Sequence, residues 1–272
     1  MSETRISETK TAEKAYHERF YAGDKPLAPV DPVAMERDSL QPCYVGAGDH
    51  YSDNRWAFHQ LLRARGGWQD KHVLDYACGP GHMSVYFALT GARHVDGFDL
   101  SEEAIRRGRV RVEAQGLSDR VTLTQMDAQH LTYPDQTFDI VIGHGVIHHT
   151  IKYPGIFENL YRVMKPGASA YFLEGLADFP LFKLWWTIKG EVPQGDVPIY
   201  AAEVREKTKM FSKVEIIGDT FLHAGKLFLW RPNPGPLRKF ALRQSHAADQ
   251  RLLTAVPALR KWGSFSYIVL TR

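Results

Sequence analysis

The stretch HVLDYACGPGHMSVYFALTGARHVDGFDL, from His72 to Leu100, decides how the rest of the chain is read. Val73-Leu74-Asp75 is an apolar run closed by an acid, the pattern of a strand buried on both faces. Ala77 to Gly81 makes a tight turn, and His82 to Thr90 carries Met83, Val85, Tyr86 and Leu89 at helical spacing. His94 to Leu100 is a second short strand that brings Asp99 to its end. A strand, a glycine turn, a helix and a strand in this order form a nucleotide cradle. Glycines let backbone approach a ligand, and the helix start offers N–H groups to it. An acid ending the second strand suits the two hydroxyls of a ribose.

Three kinds of protein use such a cradle. A phosphate-binding loop needs Gly-Lys-Ser/Thr where this chain has Gly81-His82-Met83. A dinucleotide fold wants a third glycine or alanine where Ser84 stands. The remaining ligand is S-adenosylmethionine (SAM). The stretch resembles motif I of class I SAM-dependent methyltransferases, V-L-D-x-G-x-G-x-G, with Ala77 in place of the first glycine.

The resemblance continues downstream. Val121 to Met126 alternates as a third strand and is followed by Asp127-Ala128. In the family an acid here accepts from the adenine amino group and the next N–H reaches the ring; a helix cap is the alternative for Asp127. Tyr133 to Asp139 leads into a fourth strand, Ile140 to Gly143, and then His144-Gly145-Val146-Ile147-His148-His149-Thr150. Phe157 to Gly167, ahead of a fifth strand from Ser169 to Leu173, resembles the family's R-V-L-K-P-G-G segment with Ala168 for its last glycine. What the resemblance implies is a Rossmann-like α/β fold. Its sheet would be seven-stranded and mostly parallel, with an antiparallel last strand and helices on both faces. The implied cofactor is SAM, held by Tyr21, Asp75, Ala77, Gly79, Gly81, Asp99, Leu100, Asp127, Ala128, Gly143 and His144.

Composition sets the bounds. At 272 residues the chain suits one domain with additions. With 44% hydrophobic and 24% charged residues it reads as an ordinary globular protein, and a net charge of +3 is too small to argue for nucleic acid. No run approaches the ~18 apolar residues of a membrane helix. The opening MSETRISETK lacks the apolar core of a signal peptide. Cys43 and Cys78 give no disulfide framework, so the cytoplasm is the expected compartment.

The flanks carry weaker signals. Residues 1–15 are polar and expected to fray, while Ala12 to Tyr21 suits a short helix with Tyr16, Phe20 and Tyr21 as its adhesive face. Packing against the body is one reading. The resemblance offers another, a lid closing over SAM with Tyr21 in contact with the ligand and part of the catalytic machinery. Docking on a neighbouring subunit would make a homo-oligomer. The expected division is a lid and connector over 1–50 and a methyltransferase domain over 51–272. Tyr51 to Arg65 is amphipathic, and Ser101 caps a helix that stops at Gly116. Residues 175–235 are rich in aromatics, Pro and Gly, which suggests a substrate cover presenting Phe179, Trp185, Trp186 and Tyr200. Core packing is the alternative for each. Val214 to Ile217 is expected as strand six, 231–246 as a basic loop, Leu252 to Trp262 as a helix and Ser264 to Thr271 as the last strand.

Methyl transfer from a sulfonium is an in-line displacement, so the protein contributes mainly alignment and a dry site. A hydroxyl or amine acceptor gains from a base, and His148 and His149 follow strand four where such a base would stand. Either histidine can instead orient the loop. Zinc needs a third ligand beside the i,i+4 pair His144 and His148, none is evident, and no metal is expected. The Asn/Asp-Pro-Pro-Tyr/Phe signature of amide and nucleobase methylation is absent. The aromatic cover suits a lipophilic small molecule, whether terpenoid, prenylated, polyketide or quinone-like. An N-terminal helix with a tyrosine also resembles bacterial terpenoid C-methyltransferases of the teleocidin kind, which methylate an alkene. O- or N-methylation with a histidine base, a nicotinamide-dependent oxidoreductase and a non-catalytic SAM-binding scaffold are the other readings.

Overall fold

The computed structural model describes residues 3–23, 27, 29–33, 35, 53–179, 184, 197–221, 236–263 and 265–272. Its strands are β1 (His72–Tyr76), β2 (His94–Asp99), β3 (Val121–Gln125), β4 (Phe138–His144), β5 (Met164–Gly175), β6 (Lys213–Thr220) and β7 (Phe265–Thr271). They form one sheet in the order β3-β2-β1-β4-β5-β7-β6. All pairs from β3 to β5 are parallel, and β7 runs antiparallel between β5 and β6. The chain winds one way from β1 to β2 and β3 and the other way from β4 to β5. The crevice at the carboxyl ends of β1 and β4 is therefore where a ligand settles in such sheets.

Successive side chains of a strand point to opposite faces, so an unbroken apolar run fills two cores. Leu74, Tyr76, Phe98, Val141 and Phe172 lie in one core; Val73, Val95, Ile140, Ile142 and Tyr171 lie in the other. Each fully buried Leu, Val or Phe contributes about 1.5–3 kcal/mol. That two-sided burial holds the central strands and fixes what their ends carry.

The helices are α1 (Glu3–Tyr21), α2 (Asp53–Ala64), α3 (His82–Leu89), α4 (Glu102–Ala114), α5 (Ile147–Thr150), α6 (Ile156–Val163), α7 (Ala201–Lys207) and α8 (Pro236–Ala255). Ser101 caps α4 as its sequence predicts, its Oγ accepting from the Ala104 N–H at 3.1 Å. Three expectations are corrected. Helix α1 begins at Glu3 rather than Ala12, so the polar start is helical instead of frayed. Residues 236–246 of the expected basic loop belong to α8, for which Pro236 serves at the first position, where its missing N–H costs nothing. The expected helix from Leu252 to Trp262 is two pieces, because Pro257 starts a separate 3₁₀ segment, Pro257–Trp262. The division expected at residue 50 falls outside the described residues. Among the described residues no helix is long and apolar enough to cross a membrane.

Candidate active site

The turn between β1 and α3 is left-handed at Ala77 (φ 52°), Gly79 (φ 52°) and Gly81 (φ 67°). It is tied to the end of β2: the Cys78 N–H donates to Phe98 O at 2.8 Å, and the Gly79 N–H to Asp99 Oδ2 at 2.8 Å. The other Asp99 oxygen accepts from the Ser101 N–H at 2.9 Å. Burial raises the Asp99 carboxyl above the ordinary range, against the pull of these two N–H groups. Asp75 faces the other way, its Oδ2 accepting from buried Ser84 Oγ at 2.5 Å. The serine that breaks the dinucleotide pattern thus ties α3 to β1. Burial pushes the Cys78 thiol well up, with Asp75 and Asp99 adding to it, so no thiolate nucleophile forms there.

Helix α1 lies across this cradle. A Cβ on Gly79 would come within 3.0 Å of the Tyr21 hydroxyl, so only glycine leaves the phenol room without a shift. Burial, then the Asp99 charge, raises the Tyr21 pKa far enough that it stays a neutral phenol, fit to contact and cover but not to act as a base. Lys10, Glu13, His17 and Tyr21 recur at intervals of three or four, one face of the helix. That face is held by polar contacts. Lys10 Nζ lies 2.6 Å from Asp127 Oδ2, and Arg107 donates to the Tyr21 carbonyl at 2.7 Å. Glu18 accepts from the Glu102 and Glu103 N–H groups at 2.8 and 3.0 Å, placing a carboxylate on the N-terminus of α4. Buried Glu13 meets Lys152 Nζ at 2.7 Å and takes a hydrogen bond from the Tyr153 hydroxyl. Burial alone would raise the Glu13 carboxyl. Hydrogen bonds from His149, Lys152 and Tyr153 and the Lys152 charge outweigh it and leave the pKa below its ordinary value.

The segment after β4 supplies the histidines. His144 ends the strand and turns toward α2, its ring edge-on to Phe58 and His59 at 5.0 and 5.8 Å. Gly143 is demanded by packing, since a Cβ there would meet Phe172 at 2.7 Å and Val146 at 2.8 Å. His148 and His149 ride on the single turn α5, their ring centroids 4.1 Å apart. Buried Glu174, near the end of β5, accepts from the Val146 and Ile147 N–H groups, each at 2.6 Å, and lies 2.9 Å from His148 Nδ1. His149 Nδ1 lies 3.7 Å from Glu13 Oε1, and its ring meets His17 edge-on at 5.2 Å. Each histidine therefore has a buried carboxylate beside it.

Of the candidate cofactor residues, Ala77, Gly79 and Gly81 share the left-handed turn, and Gly79, bonded to Asp99, lies against Tyr21. Leu100 follows Asp99, its carbonyl accepting from Gln125 Nε2 at 3.3 Å. Asp127 carries both its cap-like bond, from the Gln129 N–H at 2.9 Å, and the Lys10 pair, while Ala128 is buried in the first core. Among the substrate candidates, Phe179 is buried edge-on to Phe221 at 5.7 Å, and Tyr200 is exposed at the start of α7. Trp185 and Trp186 lie outside the described residues. The chain returning from that stretch passes the histidines, with the Val197 N–H donating to the His148 carbonyl at 3.2 Å. Glu13 and Glu174 were not among the sequence candidates. Only the four-residue step from Glu13 to His17 and on to Tyr21 could have drawn notice to the first.

Residues 73–167 match the family described as "Methyltransferase domain". A demethylmenaquinone methyltransferase of Lactiplantibacillus plantarum is 39% identical over 159 residues, 55% of this chain and 65% of the relative. A sterol 24-C-methyltransferase of Gibberella zeae is 32% identical over 109 residues, 40% of this chain and 29% of the relative. In both cases the alignment spans less than two thirds of the relative's length. A solved geranyl diphosphate C-methyltransferase of Streptomyces coelicolor covers 97% of this chain and 97% of its own, with a TM-score of 0.59 and 14% identity, a likeness of fold. Sheet order and antiparallel β7 are those of the class I methyltransferase fold.

Proposed function

We propose, from the match of residues 73–167 to the methyltransferase domain family, that this chain is a SAM-dependent methyltransferase of a lipophilic small molecule. The observation that carries the reading is Asp99, bonded to the Gly79 N–H at the mouth of the glycine turn and roofed by Tyr21. The residues fit SAM. Asp99 offers a carboxylate to ribose hydroxyls, the turn at Gly79 lets the ligand approach backbone, and neutral Tyr21 shuts water out. SAM supplies an activated methyl group on a sulfonium; this chain aligns the acceptor with it. Carbon is the favoured acceptor atom, in a terpenoid, prenylated or quinone-like molecule. The support is the aromatic content of residues 175–235 and the similarity to relatives named for sterol C-methylation and demethylmenaquinone methylation. Aromatic faces suit the cation that forms when an alkene is methylated.

A second reading has its own support. Glu13 beside His149 and Glu174 beside His148 are arrangements that orient an imidazole. With a hydroxyl or amine acceptor, His149 would take the acceptor's proton while Glu13 holds the ring. The deciding experiment incubates the protein with SAM and a panel of prenylated phenols, quinols and terpenoids, and follows S-adenosylhomocysteine and product mass. Turnover that places the methyl on carbon supports the first reading, and turnover on oxygen or nitrogen the second. A protein that binds no SAM would end both.

A further inference from the structure

We infer that His72, His94 and Asp96 form a binding site for a divalent transition-metal ion of the zinc type, at the end of the sheet remote from the glycine turn. His72 opens β1 and His94 opens β2, and the two are paired directly across the parallel strands. Asp96 lies two residues beyond His94, so the pleat brings its side chain to the same face. One donor atom from each of the three lies within 4.8 Å of the others. His72 Nε2 is 2.6 Å from Asp96 Oδ2, and His94 Nε2 is 4.0 Å from Asp96 Oδ1. The imidazole centroids are 5.3 Å apart.

The chemistry of the set selects the ion. Two imidazoles and one carboxylate suit Zn²⁺, Cu²⁺ or Ni²⁺ rather than Mg²⁺ or Ca²⁺, which prefer oxygen. Bonds of about 2.0–2.2 Å in a tetrahedral shell place donors roughly 3.3–3.5 Å apart, between the short and long separations present here. A small rotation of Asp96 and His94 meets that spacing. The side chains are 22%, 33% and 14% exposed for His72, His94 and Asp96, which leaves a fourth position to water. The neighbours hold the set in place. Asp139 accepts from the His72 N–H at 2.8 Å but is engaged by Lys165 at 2.6 Å and Arg93 at 3.4 Å, so it stands outside the ligand set. Thr122 on β3 holds His94 Nε2 at 3.2 Å, a bond the metal replaces.

The site lies at the start of β1, about 13 Å along the strand from Tyr76, where the cradle begins. Metal there clamps β1 and β2 together and takes no part in methyl transfer. It is also separate from the histidines after β4, which have Glu174 and Glu13 beside them.

The test titrates the full chain with zinc chloride in a calorimeter, in a non-chelating buffer. Wild type should bind one Zn²⁺ with a Kd on the order of 1 µM. Zinc at a hundred times Kd should raise Tm by about 5–10 °C. His94→Ala and Asp96→Asn should each weaken binding at least tenfold. His94 is part-exposed, so its removal should leave the metal-free melting curve in place and keep that comparison clean. Cu²⁺ electron paramagnetic resonance should show coupling to two imidazole nitrogens in wild type and one in His94→Ala. No binding by wild type, or equal binding by both variants, would overturn the assignment.

Discussion

Removing the Glu13 carboxylate should release helix α1 from the body of the protein. Glu13 is 3% exposed, and Lys152, its partner at 2.7 Å, has a side chain only 9% exposed. Deleting one member of such a pair leaves a buried charge without compensation, which costs about 3–5 kcal/mol. The helix has little to offset that loss. Its described contacts are mostly polar, and an isolated helix of 19 residues with this composition is marginal in water. At 1.4 kcal/mol per factor of ten, Glu13→Ala should shift docking toward the open state by a factor of at least ~100. Hydrogen exchange reads this directly, since amides of residues 3–21 should exchange about 100-fold faster in the variant while those of β1 and β4 do not change. Glu13→Gln, which keeps the shape and loses the charge, should fall between. The pH dependence has a definite sign. A carboxyl whose docked pKa lies below its ordinary 4.5 contributes fully above 4.5 and loses its contribution as pH falls through the lowered value. Docking should therefore hold at neutral pH and fail in acid in wild type. Unchanged exchange in both variants would refute the latch.

Three further outcomes follow from single contacts. Glu174→Gln removes the carboxylate shared by two N–H groups and His148, so turnover should drop at least tenfold with SAM affinity reduced less, measured by initial rates and calorimetry. His149→Ala separates the two chemistries by single-turnover kinetics. A rate that rises with pH and falls about 100-fold in the variant marks a base, whereas a flat profile with a fully active variant marks alkene methylation. Gly218→Ala would set a Cβ 1.9 Å from the Arg260 carbonyl oxygen, forcing backbone to move and lowering Tm by about 3–10 °C in a thermal melt.

The sheet and the cradle were legible because their signals are local. An apolar run closed by an acid, a glycine turn and a serine cap each declare themselves within a few residues, and β1, β2, α3 and α4 lie where those signals put them. What was not legible depends on partners far along the chain. Helix α1 shows few apolar residues because it docks through Lys10, Glu13 and Glu18, whose partners lie 117, 139 and 84 residues away. Apolar spacing therefore shows only its last ten residues, Ala12 to Tyr21, of the nineteen that are helical. Glu174 reads as one more residue at the end of a strand until β4 and β5 pair and bring it beneath Val146. Helix α8 was hidden for a different reason: the Pro-Gly-Pro run at 234–236 reads as a loop, yet a proline is at home in the first turn of a helix.

Calorimetric titration of SAM into wild type and Asp99→Ala tests the central claim most directly. The account predicts one SAM bound per chain and at least a tenfold loss in the variant, because hydrogen bonds to a charged group contribute about 1.5–3 kcal/mol each. A melting curve and a circular dichroism spectrum like those of wild type would show that the variant is folded. No heat of binding in wild type, or equal affinity in the folded variant, would contradict the reading of residues 72–100 as a SAM cradle.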